Sequence, residues 1–149
     1  MIRNERGGAD TLLITMFVVP LLLFASFAGV PFFVYILKAN HLNVVANHAL
    51  KEAEAVGYVS PAIASAAAAR LSGLGMEPIT IGGVSYPSFE GSTVSKVYKD
   101  SANSTVTLVV KYPAPGLSRM LRAVGGSGGT ESNEGFYRIV LHGKSEAYE

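Results

Sequence analysis

The chain has 149 residues, 49% hydrophobic and 15% charged, with a formal net charge of +1, a mean hydropathy of +0.33 and no Cys. A soluble domain carries about 25% charged residues, so one greasy segment must account for the deficit, and the length allows a single small domain. The lack of Cys excludes disulfides, thiolate metal sites and Cys nucleophiles, and from Lys38 onward 10 Lys+Arg against 9 Asp+Glu leave no strong field to gather nucleic acid or anionic lipid.

Residues 1–10 form a polar leader holding Arg3 and Arg6. From Thr11 to Leu37 there are then 27 residues without a charge. As a helix this stretch reaches roughly 40 Å, more than the roughly 30 Å of a bilayer core. Its Leu12–Val30 window contains 12 Leu, Ile, Val or Phe, which favour insertion by on the order of 4 to 7 kcal/mol. Arg3, Arg6 and the amino terminus predict a single-pass cytoplasmic-membrane protein with its N-terminus inside and its C-terminal part outside. The rival is a secretory signal cut after Ser26-Phe27-Ala28, against which the apolar run is longer than a signal of this kind needs.

Within the run, Pro20 and Pro31 are 11 residues apart, about three helical turns, so both fall on one side and free the carbonyls of Met16 and Phe27. Ala25 and Gly29, with Ala28 beside them, form a small-xxx-small pair that lets another helix approach closely. Asp10, Pro20, Ala25, Ala28, Gly29 and Pro31 are therefore the candidate helix-packing residues. Past Lys38 an apolar stripe continues through Leu42, Val45, Ala46, Ala49, Ala53 and Val56. One long helix is expected over 11–57, apolar to residue 37 and amphipathic after it, ended by Gly57.

A head domain over 58–149 follows, and the fold class expected is α+β: the long helix, a short helix and a small antiparallel sheet. Ser60-Pro61 marks an N-cap and first helical position for an Ala-rich helix, Ala62–Leu71, stopped by Gly73 and Gly75. Ile79–Ile81 and, more loosely, Thr93–Lys99 alternate as strands. Asp100–Ser104 reads as a hairpin turn into a strand with Val106, Leu108, Val110 and Tyr112 on its buried face. Leu117, Met120, Leu121 and Val124 suggest a short amphipathic helix, and Gly125–Gly129 a loop. Phe136–His142 is a last strand with Tyr137, Ile139 and Leu141 on one face, before a polar tail over Lys144–Glu149.

No catalytic, cofactor-binding or metal constellation is legible, so the chain is not expected to be an enzyme. His41 and His48, seven apart on one helix, stand roughly 10.5 Å from each other, too far to share a metal, and read as solvated. His142 reads as structural. The Gly-rich loop lacks the Lys-Ser/Thr of a phosphate loop, and no Gly-x-Ser-x-Gly is present. Asn103-Ser104-Thr105 matches a glycosylation triplet in a place where turn residues are expected anyway.

Arg6-Gly7-Gly8-Ala9-Asp10 followed by the hydrophobic helix, its amphipathic continuation and a small sheet resembles the type IV pilin superfamily, most closely its Tad-type (TadE-like) branch of pilins and pseudopilins. The resemblance implies cleavage by a prepilin peptidase around Gly7, Gly8 and Ala9, extraction from membrane lipid by a pilus assembly platform, and self-assembly as a helical homo-oligomer in a cell-surface filament. The family commonly has Glu five residues after the cut; here Leu13 or Leu12 falls there, and Asp10 is the only nearby acid. The alternative is a membrane-anchored accessory protein of a secretion or conjugation system. Neither reading calls for nucleic acid.

Overall fold

The computed structural model describes the backbone of residues 5–114 and 135–148, and the side chains from Thr11 onward except that of Ala28. Its elements in order are α1 (Glu5–Val56), α2 (Pro61–Gly73), β1 (Ile79–Ile81), β2 (Val84–Tyr86), β3 (Thr105–Pro113) and β4 (Phe136–Lys144). The fold is α+β, with a long N-terminal helix, a short helix and two small antiparallel sheets.

α1 is a single helix of 52 residues with Pro20 and Pro31 inside it, about 78 Å long. It starts at Glu5, within the expected leader, because extending a helix already nucleated downstream fixes little more chain for each added hydrogen bond. It ends where expected: Gly57 takes φ +89° and its N–H returns to the carbonyl of Ala53. The buried stripe runs through Leu42, Val45, Ala46, Ala49, Leu50 and Ala53, at the three- and four-residue steps that place side chains on one face. Leu50 joins the stripe, and Val56, expected on it, is exposed.

α2 begins as its sequence dictates. The Ser60 hydroxyl accepts from the Ile63 N–H and Pro61 occupies the first turn. Its Ile63, Ala67 and Leu71 pack into the same core as the α1 stripe, and Arg70 donates to Glu52 on α1 at 2.8 Å.

β3 and β4 pair antiparallel in register from Thr105–Lys144 to Pro113–Phe136. Val106, Leu108, Val110 and Tyr112 of β3 are buried as their alternation predicts, with Tyr137, Ile139 and Leu141 of β4 against the same core. Two expectations are corrected. Thr93–Lys99 is not a strand and makes no hairpin with β3. The long β4 takes one edge of β3, and residues 88–93 line the other irregularly: Ser88 and Lys111 exchange backbone bonds, and Thr93 N–H donates to Thr107 O. That segment covers Val109 on the outer face, where the Ser92 hydroxyl accepts from Val109 N–H. β1 pairs instead with β2 across Gly82-Gly83, and the Tyr86–Pro87 peptide that follows is cis.

Nor is the stretch after Lys144 a free tail. Ser145 and Ala147 are buried, Glu146 N–H donates to Glu54 O, and Lys99 N–H donates to Ala147 O. The expected helix around Leu117–Val124 and the loop over Gly125–Gly129 lie outside the described residues.

Candidate functional site

The surface that distinguishes this chain is the apolar half of α1. Eighteen large hydrophobic side chains between Leu12 and Leu37 are exposed, and Leu21, Leu22, Leu23 and Phe24 are all bare although consecutive residues point about 100° apart. The exposure therefore runs round the whole circumference. At about 1.5 kcal/mol or more for each such side chain withdrawn from water, the surface carries tens of kcal/mol, well above the roughly 5–15 kcal/mol by which a domain is stable. A helix apolar on every side is at home in lipid or among other helices. This one is long and apolar enough to cross a membrane, and its most apolar window is wholly unburied.

Two hydroxyls of this half are satisfied within the helix. The Thr15 hydroxyl donates to Thr11 O at 2.8 Å and the Ser26 hydroxyl to Leu22 O at 2.9 Å, as hydrocarbon requires. Pro20, Ala25 and Gly29 lie on the exposed helix. A Cβ placed on Gly29 meets nothing within 4 Å, so packing inside one subunit sets no limit on size there. Pro31 is half-covered where the head begins. The backbone of Gly7, Gly8, Ala9 and Asp10 is part of α1, while their side chains, and that of Ala28, lie outside the described residues.

Where α1 meets the head, Tyr35 stacks on Tyr137 with centroids 4.8 Å apart and an interplanar angle of 26°. The Tyr137 hydroxyl donates to Tyr35 O at 3.1 Å. Burial, with Tyr35 beside it, pushes the Tyr137 phenol up to about 12. At the opposite end of β4, the buried Glu54 of α1 lies against Gly143 and pairs with Lys51 at 2.6 Å. β4 thus runs along α1, fixed at residues 35 and 54. Sequence periodicity identified both elements but could not reveal this pairing, since the partners are 102 residues apart for Tyr35 and Tyr137.

A polar concavity lies at the Glu54 end and mixes Lys51, Lys99 and Lys144 with Glu54, Asp100 and Glu146. Three cations against three carboxylates leave no net charge to attract an ion. Among the described residues no three His, Asp or Glu side chains gather to hold a metal. His48 is exposed, as expected, and accepts from Arg70 at 2.9 Å. His41 departs from the solvated reading: it is half-buried, and its Nδ1 is covered and has no hydrogen-bond partner among the described residues. His142 shares a 3.0 Å hydrogen bond with the Thr107 hydroxyl across the sheet. No family model, curated protein or solved structure matches the chain.

Proposed function

We propose that the chain is a pilin-like structural subunit. Its apolar helix resides in the cytoplasmic membrane, amino end inside, and then passes into the helix bundle of a cell-surface filament that carries the head on its outside. One observation carries the reading: α1 runs without interruption from a half exposed on every side into the stripe that forms the core of the head. A force that moves the helix moves the head with it, and the helix exchanges lipid neighbours for helix neighbours at modest cost. The exposed Ala25 and Gly29 support close helix packing between copies. Arg3 and Arg6 support the orientation. Prepilin peptidase and an assembly platform enter through the resemblance around Gly7, Gly8 and Ala9.

A second reading, a single-pass anchored accessory protein, draws on one observation, that Leu13 or Leu12 stands where such pilins commonly have Glu. Intact mass and N-terminal sequencing of material sheared from the cell surface, beside the membrane fraction, separates the two. A sheared species beginning at Gly8 or Ala9 supports the filament subunit. A species beginning at Met1 and confined to the membrane supports the anchored protein.

A further inference from the structure

We propose that the end of the head around Tyr137, Phe136 and Tyr86, together with Tyr35 of α1, sits in the phospholipid headgroup layer. The membrane-resident subunit then presents its head docked on the bilayer surface. The inference rests on the reading of Thr11–Leu37 as membrane-resident.

Length provides the first argument. The charge-free run of 27 residues exceeds the roughly 30 Å hydrocarbon core by about 10 Å, or about seven residues of helix. Those surplus residues fall where the head has already begun. The half-covered positions of α1 descend from Ala39 through Lys38 and Tyr35 to Pro31, so the stripe that packs against the head reaches seven residues into the apolar run. A head bonded to Tyr35 at this level has no stalk to hold it away from the lipid.

Composition provides the second. Among the described residues the two ends of the head differ: the end beside Glu54 is ringed by Lys51, Lys99, Lys144 and Glu146, whereas the end beside Tyr35 carries a cluster of aromatic rings, with Lys111 and Arg138 paired one register step farther in. There the Tyr35–Tyr137 stack is joined by Phe136, 41% exposed, whose ring lies 5.3 Å from that of Tyr86. Aromatic side chains concentrate at the headgroup level, where one part of the ring system is dry and another wet. A groove of about 190 Å³ separates Val30, Val34 and Lys38 on α1 from Ala114 and Tyr137 on the head. It opens at its lower end onto the bare apolar helix, continuous with the surface read as facing lipid, and Lys38 at its upper end is the first charge after the run. A half-covered Lys stem with its ammonium at the water boundary suits a lipid phosphate.

The chain contains no Trp, so one introduced Trp is the sole reporter. The full chain is reconstituted into phosphatidylcholine vesicles carrying a nitroxide either on the headgroup or on the acyl chain, as Phe136→Trp, Tyr86→Trp, Phe27→Trp and Val94→Trp. Val94 is 78% exposed and adjoins Thr93, which bonds Val59 beyond the far end of α1. The expected result is several-fold stronger quenching of Phe136→Trp and Tyr86→Trp than of Val94→Trp by the headgroup nitroxide, with Phe27→Trp quenched by the acyl one. If Phe136→Trp and Tyr86→Trp are quenched no more than Val94→Trp while Phe27→Trp is quenched, docking is overturned and the membrane reading stands. If Phe27→Trp is also unquenched, the membrane reading falls with it.

Discussion

Replacing Gly57 by Ala isolates what stops the long helix. Gly57 has φ +89°, and a Cβ there would run into the carbonyl oxygen of Val97 and lie 3.1 Å from both the Ala147 Cβ and the Ser145 Oγ. Two costs follow. The left-handed backbone costs an Ala about 1–2 kcal/mol, and forcing an atom into filled space costs about 1–3 kcal/mol more. Relief is blocked because the crowding atom is backbone, and Val97 N–H donates to Gly57 O at 3.0 Å. Gly75 is the internal control. Its φ is +78°, but its Cβ would meet nothing within 4 Å, so Gly75→Ala incurs only the backbone cost of about 1–2 kcal/mol. Thermal unfolding of the full chain in detergent micelles, followed by near-ultraviolet circular dichroism of tyrosine, reads the head, since no Tyr precedes Tyr35. At about 4–8 °C per kcal/mol for a domain of this size, Gly57→Ala should melt at least about 4 °C below Gly75→Ala. Indistinguishable midpoints would refute the steric part of the reasoning.

Three further outcomes are expected. Gly143→Ala places a Cβ into the Glu54 side chain and should destabilise by about 1–3 kcal/mol in the same melt; the double variant with Glu54→Ala should be less destabilised than additivity of the two single changes gives, and strict additivity would count against the contact. Tyr137 titrates near 12 in the fold and near 10 when unfolded, so above pH 10 the unfolded chain gives up its proton first; head stability should fall from pH 10 towards 12, and Tyr137→Phe should lessen that loss, which an unchanged pH profile would contradict. Ala25→Leu or Gly29→Leu, at exposed positions where a single subunit has room, should leave the protein in the membrane and abolish surface filaments seen by electron microscopy; normal filaments from both would remove the helix-packing argument.

Sequence resolves what is periodic and local. The charge-free run, the stripe from Leu42 to Ala53, the Ser60-Pro61 start of α2 and the alternation of β3 are each set by neighbours within a few residues. Pairing is different. Thr93–Lys99 alternates only loosely, and whether it or Phe136–Lys144 lies beside β3 depends on which can satisfy nine consecutive residues while facing α1. The alternation of Ile79–Ile81 marks β1, but β2, three residues beyond Gly82-Gly83, is too short to carry a period. Ser145 and Ala147 are small and polar or neutral in a polar stretch, so nothing local marks them as buried. The apolar half of the candidate surface was plain in composition. Its junction with the head was not, because the Tyr35–Tyr137 stack joins residues distant in the chain, and a lone Tyr in each segment carries no signal of the other.

Self-association through the apolar helix is tested most directly with introduced thiols, since the chain has no Cys of its own. Ala25→Cys and Gly29→Cys, separately, are oxidised in sheared surface material beside Val94→Cys on the outer part of the head. Disulfide-linked dimers from at least one helix position, with little or none from Val94→Cys, are predicted. Monomer alone at both helix positions in assembled material would contradict packing of copies along this face.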